Sequence, residues 1–142
     1  MEIERKFLVD FLPDNWDKHP SKSIKQWYIC QMPTIRIRQI DEQRFLTVKS
    51  KGHVVRLEHE LPILQEEEWQ NLLNIVQSSA IHKQRYYLPL SPTLTAELDV
   101  FLSPEHKGLQ LVEVEFNNEA EAKCFEPPLW FGKEVSYDPN YK

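Results

Sequence analysis

Residues 2–9 read EIERKFLV. Taken with a period of two, Glu2, Glu4 and Lys6 point to one side of a strand, and Ile3 and Phe7 point to the other with Arg5 between them. One face is wholly charged, and the pattern recurs along the chain. TIRIRQ (34–39) sets Arg36 and Arg38 against Ile35 and Ile37, and FLTVKS (45–50) sets Thr47 and Lys49 against Leu46 and Val48. VVRLEHEL (54–61) sets Arg56, Glu58 and Glu60 against Val55, Leu57 and Leu61, while HKQRYY (82–87) turns Lys83 and Arg85 to one side. AELDVF (96–101) opposes Glu97 and Asp99 to Leu98 and Val100, and LVEVEF (111–116) opposes Glu113 and Glu115 to Val112 and Val114. These seven segments carry eight carboxylates and seven bases on their charged faces.

An antiparallel sheet with one face on a core and the other in water gives the same alternation. Solvated faces, however, normally mix Thr, Ser, Gln and Asn among charges of both signs, whereas here the ions are sorted by strand. Period and composition fit either a water-exposed face or a face curled inward. Curled into a closed barrel of about eight strands, the sheet would enclose room for packed side chains or one small ligand. Unpaired charges are too costly to form a dry core, so such an interior must hold water, cations and a highly charged ligand. Arg and Lys suit oxyanions, and the guanidinium fork matches phosphate. Paired carboxylates suit Mg2+ or Mn2+, which bridge phosphate oxygens. Together they describe a polyphosphate site. Like charges crowded into it would repel one another in the empty protein and be relieved by ligand and metal.

The chain has 142 residues, 41% of them hydrophobic and 27% charged, which fits one domain spanning 1–142. No apolar run approaches membrane-spanning length, and the charged N-terminus lacks the core of a signal peptide. A net charge of -5 argues against nucleic-acid binding. Cys30 and Cys124 allow one bridge at most and have no metal-type spacing, which indicates a reducing cytoplasm with both thiols as buried packing residues. The five histidines show no ligand spacing, and Trp27, Trp69 and Trp130 read as structural. Residues 10–25 read as a loop. ILQEEEWQNLLNIVQSS (63–79) predicts a helix with Leu64, Trp69, Leu72, Leu73 and Val76 at helical spacing. A second helix is predicted from Asn118 as its cap through EAEAKCF, stopping before Pro127. Both are available to cover an apolar outer face.

Glu2-x-Glu4-x-Lys6 resembles the ExExK signature of the CYTH superfamily, the triphosphate tunnel metalloenzymes. The likeness continues in family order through RIRQ, LTVKSKG, Arg56-x-Glu58-x-Glu60, Lys83-x-Arg85, ELDVF, LVEVEF and WFGKEVSYDPNY, nearly the whole chain. The resemblance implies a mostly β (α+β) fold, an eight-stranded antiparallel closed barrel with a few helices outside. It further implies that Lys6, Arg36, Arg38, Lys49, Arg56, Lys83 and Arg85 grip a triphosphate. Glu2, Glu4, Glu113 and Glu115 would bind Mg2+ or Mn2+, with Glu58, Glu60, Glu97 and Asp99 as further ligands or supporting carboxylates. Lys49 and Tyr28 match a lysine and tyrosine pair near the attacked phosphate in short bacterial members, and Trp27 stands where many relatives carry glycine. Hydrolysis of inorganic tripolyphosphate by a monomer or homodimer is the expected activity. A thiamine or nucleoside triphosphatase, a class IV-type adenylate cyclase and a non-catalytic polyphosphate or nucleotide binding module are the alternatives.

Overall fold

A computed structural model of the chain describes residues 1–76 and 78–141. Its strands are β1 (Glu2–Val9), β2 (Ser21–Cys30), β3 (Thr34–Ile40), β4 (Gln43–Lys49), β5 (Val55–Arg56), β6 (Glu58–Pro62), β7 (Ile81–Pro89), β8 (Thr95–Phe101), β9 (Gln110–Glu115) and β10 (Phe131–Glu134). Two helices, α1 (Glu66–Ile75) and α2 (Glu119–Cys124), interrupt them. Every strand pairing is antiparallel, in the order β10-β1-β9-β8-β7-β2-β3-β4-β6.

The sheet returns on itself through β5. It pairs Arg56 and Val55 with Glu2 and Ile3 of β1, and Leu57 alone separates it from β6 on the far edge. Beyond that two-residue closure the same edge of β1 is taken by β10, opposite Phe7 and Val9. A mostly β barrel was expected, and the strand count differs. Ten strands form among the described residues, but β5 and β6 act as one interrupted stave and β10 flanks the ring, so the ring has eight positions. The break at Leu57 lets one segment serve β1 and β4 at once.

The apolar faces point outward and form the core there. Ile3, Phe7, Leu98, Val112 and Val114 pack with Ala122 of α2 and with Phe116, Trp130 and Phe131. Asn118 caps α2 as expected, its Oδ1 accepting from the Glu121 backbone N–H at 2.8 Å. Arg5, on this face of β1, donates through Nε and Nη2 to Glu134 of β10 at 2.9 and 2.8 Å. Its Nη1 donates to the carbonyls of Ala122 and Phe125 at 2.7 and 3.1 Å. One side chain thus ties β1, β10 and the end of α2.

Other expectations need correction. Helix α1 ends at Ile75, short of the predicted 63–79, with Val76 as its C-cap; Gln77 lies outside the described residues. Trp69 alone of its residues is buried, edge-on to Trp27 with ring centroids 5.7 Å apart, while Leu64 and Ile75 are exposed. Trp27 thereby provides the helix's seat. Ser21–Lys25, read as loop, begin β2, and β10 was not foreseen. Cys124, the last residue of α2, is exposed rather than a packing thiol, and Cys30 is half-buried. No helix among the described residues is long and apolar enough to cross a membrane.

Candidate active site

Because side chains alternate across a strand, outward apolar residues force the charged set inward. One cavity of about 200 Å³ lies inside the barrel, and thirteen of the fifteen singled-out ions line it. They are Glu2, Glu4 and Lys6 of β1, Arg36 and Arg38 of β3, Lys49 of β4, Arg56 of β5, Glu58 of β6, Lys83 and Arg85 of β7, Glu97 of β8, and Glu113 and Glu115 of β9. Tyr28 joins them. Glu60 is exposed and pairs with Arg38 at 3.0 Å, and Asp99 lies 1% exposed behind Lys83 and Arg85.

The acids and bases are interleaved. Lys49 Nζ lies 3.0 Å from both Glu2 oxygens and 3.3 Å from Glu58. Lys83 Nζ meets Asp99 at 2.8 Å, and Arg85 grips the same carboxylate with Nε and Nη2 at 2.8 and 2.9 Å. Arg85 also reaches Glu97 at 2.9 Å and Glu113 at 3.6 Å. Arg56 stands 3.9 and 3.8 Å from Glu2 and Glu4. The expected crowding of like charges is therefore largely relieved within the wall. Two bases depart from this scheme. Lys6 Nζ donates to the backbone carbonyl of Tyr141 at 2.7 Å, and among the described residues Arg36 reaches only the Tyr28 hydroxyl, at 3.5 Å. Among the described residues the buried Nε atoms of Arg36, Arg38 and Arg56 have no acceptor, so three guanidinium groups keep donor capacity in hand.

Two carboxyl pairs share hydrogen bonds. Burial first, and then the neighbouring Glu113 carboxylate, hold the Glu4 carboxyl well above its ordinary range. Burial pushes Glu113 the same way, but Lys6 and Arg85, helped by the hydrogen bond from Glu4, hold it well below. The two neighbouring carboxyls are thus pushed apart, Glu4 upward and Glu113 downward. Glu2 and Glu58 repeat the arrangement: burial raises Glu2, whereas the bond from Glu2 and the Lys49 charge outweigh burial at Glu58 and lower it. Among the described residues no three metal-type ligands converge. Two pairs of neighbouring carboxyl groups are nonetheless a donor set for Mg2+ or Mn2+, which take one or two protein carboxylates and fill the remaining positions with water and phosphate oxygens. The residues fit such an ion.

Tyr28 is half-buried. Burial works against ionisation of its phenol, but Arg36, Lys83 and Lys6 outweigh it and lower the hydroxyl's pKa. At one end the lining turns apolar, where Phe101, Leu111 and Val135 are buried with Leu8, Ile81, Leu109 and Tyr141. The sequence reading missed Gln26 and Thr34, which also line the cavity. Strand β2 puts Ile24, Gln26 and Tyr28 inward and Trp27 and Ile29 outward, so it lacks the charged alternation that marked the other strands. The run SKSIKQWYIC held a weaker signal in its β-branched and aromatic residues.

The CYTH domain model matches residues 1–126. The chain is 40% identical to the inorganic triphosphatase of Nitrosomonas europaea, covering 99% of this chain and 93% of that protein. It is 33% identical to the inorganic triphosphatase of Acetivibrio thermocellus, with 99% and 88% covered. Its backbone is similar to the crystal structure of an inorganic triphosphatase with a TM-score of 0.69 at 37% identity, covering all of this chain and 91% of that one.

Proposed function

Since the chain belongs to the CYTH domain family, we propose that it is an inorganic triphosphatase that hydrolyses tripolyphosphate to pyrophosphate and phosphate in its barrel with the help of Mg2+ or Mn2+. The observation that carries this reading is the inward ring of bases with idle guanidinium nitrogens, joined to likeness at full length to two inorganic triphosphatases.

In this reading Arg36, Arg38, Arg56, Lys6 and Lys49 hold terminal phosphate oxygens, and so do Lys83 and Arg85 on β7, with Asp99 fixing both. Glu60 fixes Arg38 in the same way. The pairs Glu4 with Glu113 and Glu2 with Glu58 would hold divalent ions, with Glu97 and Glu115 beside them. A bound ion would neutralise phosphate charge and favour attack by water. Catalysis of such a displacement is mostly positioning and charge stabilisation, which a rigid wall of paired ions supplies. Lys49 steadies charge at the attacked phosphate. Tyr28, its oxygen flanked by Arg36, presents its hydroxyl proton to a departing phosphate oxygen.

Phosphate release is measured from tripolyphosphate, thiamine triphosphate and ATP, with Mg2+, with Mn2+ and with chelator. Metal-dependent release, fastest from tripolyphosphate, is the expected result. Undiminished release in chelator would remove the metal from the scheme, and no release from any substrate would leave a binding protein.

A further inference from the structure

On the inner face of strand β2, between Ile24 and Tyr28, stands Gln26, 3% exposed. Its neighbours by register are Arg38 on β3 and Ile81 on β7. The Gln26 amide nitrogen lies 3.5 Å from the Tyr28 hydroxyl oxygen, which turns the amide so that its buried carbonyl oxygen has no donor among the described residues. Native interiors rarely leave such an acceptor idle, so its partner belongs to what fills the cavity.

The chemistry of the site narrows that partner. The nearby bases are donors, yet Arg36 is turned to Tyr28 and Arg38 to Glu60. Phosphate oxygens of an ionised triphosphate only accept, and a carbonyl cannot satisfy them. Water donates. We propose that Gln26 is a water-positioning residue, which binds the attacking water through its carbonyl oxygen while its amide N–H is anchored on Tyr28. A glutamine amide performs this task in other phosphoryl-transfer enzymes. The water's oxygen forms the new bond to the terminal phosphorus, and the bridging P–O bond breaks with its electron pair on the departing pyrophosphate. The water's proton ends on a phosphate oxygen, and Gln26 neither gains nor loses one.

The inference rests on the triphosphatase reading, and the test separates the two. Gln26→Leu and Gln26→Met are compared with wild type for kcat, KM and melting temperature, with and without tripolyphosphate and Mg2+. Both variants should lose about ten- to a hundredfold in kcat with KM within a factor of about two, because water held for attack matters mainly in the transition state. The empty variants should melt at or above the wild-type temperature, since an unpaired acceptor has been removed, and should keep the ligand-induced shift. Gln26→Glu, which keeps an acceptor oxygen, should recover part of kcat. Wild-type kcat in either apolar variant, or a raised KM with kcat unchanged, would overturn the role of Gln26 and leave the triphosphatase reading standing. A wild type without triphosphatase activity would overturn both.

Discussion

Arg36 and Arg38 share one face of β3 but not one environment. Arg38 is paired with Glu60, and burial outweighs that partner so that its guanidinium pKa is lowered; among the described residues no carboxylate lies within ion-pair distance of Arg36. Arg36→Gln should therefore leave the empty protein as stable as wild type or slightly more stable, while raising KM at least tenfold. Thermal melts and steady-state kinetics on the same preparation check both halves, and a large loss of stability would mean that Arg36 is structural. Lys49 presents the opposite case. It is the cation between Glu2 and Glu58, so Lys49→Ala leaves two carboxyl groups facing each other in a part-buried wall. The variant should lose stability by about 1–3 kcal/mol. If Lys49 acts at the attacked phosphate, its kcat should fall further than its KM rises. A change in KM alone would make Lys49 a clamp.

Elements outside the ring hang on a few side chains, and these give stability tests that spare the cavity. The Arg5 hydrogen bonds, ahead of the opposing effect of partial burial, hold the Glu134 carboxyl below its ordinary range. A depressed carboxylate contributes stability that is present above the unfolded value of about 4.5 and lost as pH falls through the folded value. Glu134→Gln should accordingly lower the melting temperature by a few degrees at pH 7 and converge on wild type near pH 3. Parallel curves at all pH values would show that the fork contributes nothing through ionisation. Helix α1 depends on Trp69, which stacks edge-on to Trp27 beneath the Arg44 guanidinium, 5.1 Å from the ring. Trp69→Ala should cost about 3 kcal/mol and speed amide exchange in α1, with triphosphatase activity retained in the folded fraction. Loss of activity with the fold intact would place α1 in the working part of the molecule.

As a whole the molecule is a barrel whose wall is cross-linked by its own ions. Enclosed like charges would have been expected to strain the empty protein, but the Asp99, Glu2 and Glu60 pairings offset most of that repulsion. Ligand stabilisation should then come from mass action and from the idle guanidinium nitrogens rather than from release of strain. A site filled at about a hundred times its Kd adds roughly 2.7 kcal/mol, or several degrees in melting temperature for a domain of this size. Tripolyphosphate with Mg2+ should produce that saturable shift and monophosphate far less. Melting curves indifferent to tripolyphosphate and Mg2+ across a concentration series would return the cavity to water.

The period-two alternation in EIERKFLV, TIRIRQ, AELDVF and LVEVEF was enough to fix which residues share a face, because pleating leaves each side chain only two directions. The cap at Asn118 was equally legible, since it depends on a single local hydrogen bond. Inward curvature was not legible from alternation, which is the same for an open sheet; it came from the family likeness and is realised through the two-residue ladder of β5 on β1. Strand β2 escaped notice because Ile24, Gln26 and Tyr28 carry no charge to set against Trp27 and Ile29. Which acid meets which base was also a matter of tertiary structure. Asp99 and Glu97 look alike in sequence, but the approach of β7 buries the first under Lys83 and Arg85 and leaves the second at the cavity. Alternation is a property of one strand, whereas pairing depends on the register between strands.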